Sequence, residues 1–510
     1  IEWRSVEKAK SDFEEDIDEA IERFADDEGE NGDDKQKAIS DMASEGFRTH
    51  FEWAGMKDRQ MAAKCAEWCK ENANIIFSNG QVLVYDDEKR LWVRDEAMIA
   101  TVLKKLLGDQ YGRNVKDEFV SGYVSVDPEF RVDWEKIGIR GPKCVVENGI
   151  LNLIEGDIER EVRPEDYAIM RFPVEWENMD AETDRFHDDF LNRSVAKEDR
   201  KKLQEYAGLC LHTNGYRYKK ALMMVGGGDN GKGVFEDILT ALVGHDNAMH
   251  DGLKELSENR FGAHRLRQNA INVNSDIDGN KISKTSTFKK LTGRDRLRVE
   301  AKFEEPFEIE NPAKLIFAAN QVPKVKNGDL AFYNRWMFVH FPTRFTSFDN
   351  DGYPDKDPDI AEDIIQNELS GVLAWAVSGY QRLREQGQFT GEHPGEEVRE
   401  MWFDYADPTA TFVDNYVSFG NGGHGEIAPT PTLVSEMYEY YKKYISTTPT
   451  APETKQTLSS YIRNRYEDAK TETSRDVANS RDLDVDTVRY WDGVYLSHEA
   501  REDIRSLITE

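Results

Sequence analysis

A chain of 510 residues is too long for one compact core, and its composition, 38% apolar, can fill several. It carries 98 Asp and Glu against 67 Lys and Arg, a net charge of −31 that argues against simple wrapping by nucleic acid. Four cysteines in no closely spaced framework exclude a disulfide-stapled secreted domain, and no apolar run reaches the roughly 18 residues that a membrane span needs. Residues 1–50, with 17 acidic and 7 basic residues, read as an acidic linker or tail in which Phe13, Ile17 and Ile21 stripe one short helix. Residues 51–205 read as an α+β domain. Helical periodicity covers 61–71 and 98–107, a strand–turn–strand pattern covers 81–94, and two short strands flank Gly149. Cys65 and Cys69, four apart on a helical face without a histidine partner, are expected to be buried thiols.

Residues 206–345 carry the chemistry. An apolar run of strand length, 221–225, is followed by Gly226, Gly227, Gly228, Asp229, Asn230, Gly231, Lys232 and Gly233. From Val234 onward apolar residues at 234, 235, 238, 239 and 242 predict a helix that Gly244 stops. Strand, glycine loop ending in Gly-Lys, then helix is the context of a phosphate-binding loop. Backbone N–H groups close around phosphates, the helix N-terminus adds positive potential, and the lysine reaches the β- and γ-phosphates. Where a Ser or Thr hydroxyl ordinarily follows the lysine and binds Mg2+, this chain has Gly233.

Further along, 270–276 alternates and ends in Asp276, with Asp278 two positions on. Acids there would hold Mg2+ and polarise a water. The apolar run 314–319 ends in Asn320, placed to orient that water or the γ-phosphate, and Arg335 precedes a strand pattern at 336–341. Between them Lys289, Lys290, Arg294, Arg296, Arg298 and Lys302 surround Gly293, which suits a hairpin offering positive charge to a nucleic-acid backbone. Each signal alone has a plainer reading: an incidental lysine, a strand-ending Asp or Asn, a surface arginine, a solvated loop. The charge is nonetheless uneven, since 221–345 holds 18 basic and 16 acidic residues, a net of +2, and the remainder carries −33. Beyond it, 346–415 reads as a helical extension with its main pattern at 360–385. Residues 416–510, after a Gly- and Pro-rich stretch at 420–431, predict helices at 433–445 and 457–466 and a hairpin turned by Asp492-Gly493. Helix, helix, hairpin is the order of a winged-helix-like module.

Taken in order, GGGDNGKGVF, INVNSDID, FKKLTGRDRLRVEAKF, AKLIFAANQVPKV and NRWMFVHFP resemble the motifs of superfamily III helicases. The likeness is to the primase-helicases of phages, plasmids and large DNA viruses, the poxvirus-type replicative NTPase group, and with VVENGILNLIEGDIEREVRPEDYAIMRFPVEW upstream it covers roughly residues 60–345. The resemblance implies an α/β fold with a P-loop, AAA+-like parallel-sheet ATPase core. By position it implies that residues 226–234 and Lys232 bind ATP, that Asp276 with Asp278 beside it binds Mg2+ as the Walker B acid, and that Asn320 is the sensor. Lys289 and Lys290 would belong to a hairpin that follows DNA through a central channel, and Arg335 would be an arginine finger acting on a neighbouring subunit. A ring, commonly a hexamer, moving on single-stranded or forked DNA is implied, with primase or origin-binding proteins as partners. The chain departs from the pattern at Gly233 and in its polar Walker B strand. Those departures keep open a second class of function, a nucleotide-binding initiation scaffold whose helix at 457–466, with Arg463 and Arg465, reads duplex DNA. Residues 1–50 lack the acidic cluster of a primase, so primase activity is not expected. The start at Ile1 without a signal-peptide pattern predicts a piece of a longer cytoplasmic protein, viral or plasmid-encoded, and the acidic decoration outside the motor suits a haloarchaeal source.

Overall fold

A computed structural model describes residues 56–213, 215, 217–258, 263–275, 282, 285–299, 307–326, 328–347, 354–420, 432–446, 448, 452–480 and 485–496. The acidic segment 1–50 and the linker at 421–431 lie outside the described residues. Helix α1 (Asp58–Asn72) precedes an antiparallel sheet of β1 (Ile75–Ser78), β2 (Gln81–Asp86) and β3 (Leu91–Val93), after which come α2 (Glu96–Leu107) and α3 (Arg113–Glu118). Met61, Cys65 and Cys69 on one face of α1 meet Ile99 and Leu103 of α2 in a first core. Both cysteines are buried thiols, as their spacing predicts, and burial pushes Cys65 up to about 12. A second antiparallel sheet, β4 (Lys143–Val146), β5 (Gly149–Asn152) and β6 (Asp157–Arg160), follows.

The centre of the molecule is a five-stranded parallel sheet. Its strands are β7 (Ala221–Val225), β8 (Ala248–Met249) and β9 (Ile271–Asn274). An antiparallel pair, β10 (Leu297–Val299) and β11 (Phe307–Ile309), is inserted before β12 (Lys314–Ala319) and β13 (Trp336–His340) complete it. The order β13-β7-β12-β9-β8 places the first strand between the fourth and the fifth. Apolar residues alternate between two cores: Leu222, Met224, Ile316, Ala318, Met337 and Val339 face one side, and Met223, Val225, Leu315, Phe317, Trp336 and Phe338 face the other. A sheet covered on both faces needs such continuous apolar runs, and for that reason β7, β12 and β13 are legible in the sequence. On the first side lie α4 (Arg200–Leu211), α5 (Lys232–Val243) and, further along the chain, 360–367 and 369–386. On the second lie α6 (Leu253–Glu258), α7 (Thr285–Leu291) and α8 (Leu330–Tyr333).

The pattern at 360–385 resolves into α9 (Ile360–Asn367) and α10 (Leu369–Gln386), followed by α11 (Gly395–Ala406) and α12 (Pro408–Tyr416). The last core joins α12 to α13 (Val434–Ser446) and α14 (Lys455–Arg465). The hairpin expected at Asp492-Gly493 does not form. Gly493, at φ +70°, instead links β16 (Val488–Asp492) to β17 (Val494–Leu496), which belong to different sheets. β16 pairs with β15 (Lys470–Ser474), and β17 pairs with β14 (Val417–Phe419). Trp491 and Val494 are both buried, so the turn serves to bring both into one core.

Candidate functional site

The loop 226–233 leaves the buried strand β7 at its carboxyl end and runs into α5. Its first residue must be glycine, because a Cβ on Gly226 would overlap the Asn230 amide and the Phe341 carbonyl. Asn230 is buried inside the loop, where its Nδ2 donates to Phe341 O at 3.1 Å. Asp229 takes a left-handed φ of +53°, and its carboxylate accepts from Lys356 Nζ at 2.6 Å, which holds it below the usual carboxylate range. Gly231, at φ +93°, caps α5 without a side chain of its own, and Asn230 Oδ1 accepts from the Lys232 N–H at 3.5 Å. The N-terminal turn, where the helix dipole is positive, makes a receptor for an anion.

Lys232 is the first residue of α5 and is 8% exposed. Its Nζ donates to Gly226 O (2.7 Å), Gly227 O (3.0 Å), Asn230 Oδ1 (3.1 Å) and Asn320 Oδ1 (3.1 Å). Asn320 reaches it because β12 lies parallel and directly beside β7, so both strands deliver their ends to one place. Burial lowers the Lys232 amine to about 8, against the opposing charge of Glu236. One turn further along α5, Glu236 is 6% exposed and accepts a hydrogen bond from Ser275, just past the end of β9. Burial raises its carboxyl above the usual range.

A cavity of about 330 Å³ opens over this loop. Its lining combines the loop residues 228–234, Glu236, Ser275 and Asn320 with Phe190, Phe345 and Ile360 and with Asp189, Asp355 and Asp357. The Arg193 guanidinium lies 5.4 Å from the centre of the Phe345 ring. A cavity that joins a glycine loop to aromatic rings and a guanidinium fits a nucleotide, and the hard carboxylate and hydroxyl oxygens fit Mg2+. Asp276 and Asp278 lie outside the described residues. Glu236 does not stand out in the sequence, although its spacing of four from Lys232 puts it on the same helical face. Nothing local marks Arg193 or Phe345, which only the fold brings to the loop.

Arg335 does not join this group. Trp336 is opposite Ala221 and His340 opposite Val225, so Arg335 lies at the amino ends of the strands, roughly 16 Å of strand away from the loop. It is partly buried there, its Nη1 3.5 Å from Thr292 Oγ1, and burial lowers its guanidinium with Asp295 opposing. The cationic stretch is also built differently from the expected hairpin around Gly293. Lys289 and Lys290 belong to helix α7, where Phe288 and Leu291 point into the core, and the actual hairpin is β10 with β11, which carries Arg298. Lys302 lies outside the described residues. Lys289 pairs with Asp329 at 2.7 Å and Arg296 with Glu135 at 2.9 Å, while Lys290, Arg294 and Arg298 are exposed.

Residues 224–335 match the model of a family of unknown function (DUF5906). Among solved structures, the chain is similar to the A-form apo structure of the NrS-1 C-terminal region, with a TM-score of 0.40 at 11% identity over 82% of this chain and 95% of that one. An apo structure of the same region gives a TM-score of 0.37 at 10% identity, again over 82% of this chain and 95% of that one.

Proposed function

We propose that this chain is a P-loop ATPase of the superfamily III type, an ATP-dependent DNA helicase that acts in viral or plasmid DNA replication as a ring on single-stranded DNA. The observation that carries the reading is the setting of Lys232. Its ammonium is buried among four neutral oxygens, and among the described residues no carboxylate lies within ion-pair distance. A buried cation whose opposing carboxylate, Glu236, stands beyond ion-pair distance is costly. A phosphate group supplies that charge, and the N-terminal turn of α5 adds backbone donors for it. Lys232 then neutralises phosphate charge, Asn320 orients the terminal phosphate or its water, and the aromatic rings receive the base. Mg2+, when bound, neutralises charge on the transferred phosphoryl group. Arg335, too far to serve its own loop, fits a finger presented to a neighbouring subunit's site.

The test is the ATPase rate with and without single-stranded DNA for the parent, Lys232→Ala and Arg335→Ala. The parent should be stimulated by DNA, Lys232→Ala should lose turnover, and Arg335→Ala should bind nucleotide but not hydrolyse it. A Lys232→Ala variant as fast as the parent would sink the reading. Nucleotide binding by the parent without turnover would favour an initiation scaffold instead, the outcome that Gly233 leaves room for.

A further inference from the structure

The residue after the loop lysine poses a question that packing does not answer. A Cβ on Gly233 would meet nothing within 4 Å, so no steric demand keeps a hydroxyl-bearing side chain out of that position. The oxygen that such a residue would bring to a nucleotide-bound cation must come from elsewhere or be absent. One turn along the same helix, Glu236 lines the cavity and is only 6% exposed. Ser275 takes part in a hydrogen bond to this carboxylate, yet Oε1 has no hydrogen-bond partner among the described residues. Leaving a carboxylate oxygen buried and unmatched costs more than a hydrogen bond returns, and such an oxygen is ordinarily matched by a bound ion, a water or a donor.

We propose that Glu236 and Ser275 contribute to the protein's share of the divalent-cation site, with Glu236 replacing the hydroxyl that Gly233 lacks. The inference rests on the phosphate-loop reading above. The carboxylate and the hydroxyl are hard oxygen donors of the kind Mg2+ and Mn2+ take, and an ion bound through one or two protein oxygens with phosphates and water completing its shell is the usual arrangement for Mg2+. Lys232 sits near enough to oppose the rise in the Glu236 carboxyl, so cation and ammonium would flank the same phosphates.

The experiment measures Mn2+ binding by electron paramagnetic resonance on the full chain with a non-hydrolysable ATP analogue, and analogue binding in EDTA by calorimetry. Glu236→Gln should weaken Mn2+ about tenfold or more, as loss of a ligand does, while analogue binding in EDTA stays within about twofold. Adding Gly233→Ser to that variant should restore much of the Mn2+ affinity. Should Glu236→Gln fail to fold, Glu236→Asp, which withdraws the oxygens by one methylene, carries the same outcomes. Unchanged Mn2+ affinity with intact analogue binding would overturn this proposal alone. A parent that binds no analogue would overturn the phosphate-loop reading and this proposal with it.

Discussion

Lys232 combines two properties that bear on each other, a charge needed for phosphate and a burial that disfavours charge. Its amine titrates near 8 rather than at the ordinary 10.5. Below about pH 8 the folded chain holds the ammonium; between there and 10.5 the folded amine is neutral while the unfolded one still carries its proton. The unfolded state therefore binds more protons in that window, and stability without nucleotide rises with pH across it. Phosphate favours the charged form, so the sign for binding is the reverse. Nucleotide affinity should fall as pH rises through about 8, and binding above that pH should take up a proton. Calorimetry in two buffers of different ionisation enthalpy reads that uptake directly, and equal heats in both at pH 9 would contradict it. The lysine itself is legible in the sequence because its glycine context is local. Its partner Asn320 is legible as a strand end, but the 3.1 Å bond between them depends on β12 lying beside β7, a pairing no local pattern encodes.

At the scale of elements, α4 and α10 cross closely on the face of the sheet that α5 also covers. A Cβ on Gly208 would overlap Ala376 O and Tyr380 N, and one on Gly379 would overlap Gln204 O, so each helix offers a glycine where the other's backbone approaches. Gly208→Ala and Gly379→Ala should each destabilise the fold by about 1–3 kcal/mol or more, read as a shift in urea midpoint at constant slope. A change below about 0.5 kcal/mol would mean that the helices separate readily. Strands with unbroken apolar runs are legible from their residues alone, as β7, β12 and β13 show. Strands whose burial depends on a distant partner are not: β15, with the sequence KTETS, has no apolar alternation and is held by its register with β16. The same dependence explains why Lys289 and Lys290 belong to a helix and not to the expected hairpin. A single buried pair, Phe288 and Leu291, anchors α7, and that pair is too short a period to outweigh the glycine beside it.

At the scale of the whole molecule, the charge of −31 is a sum of unlike parts, +2 over 221–345 and −33 elsewhere. No helix among the described residues is long and apolar enough to cross a membrane. Of the cations expected to meet DNA, Lys290, Arg294 and Arg298 are exposed, whereas Lys289 and Arg296 already hold carboxylates. Each exposed cation that meets a phosphate should contribute about 0.7 to the slope of log affinity for single-stranded DNA against log salt, and its alanine variant should reduce the slope by that amount. Slopes that do not change in any of the three would move the DNA path elsewhere. The placement of Lys232 and Arg335 at opposite ends of the sheet's strands has its own consequence. If neighbours share a site, defects in the two residues are complementary rather than equivalent: Lys232→Ala and Arg335→Ala, each inert when pure, would regain turnover when co-assembled, with about a quarter of random junctions pairing an intact lysine with an intact arginine. Hydrolysis would then belong to the junction and not to the polypeptide, and two dead preparations poured together would make a living one.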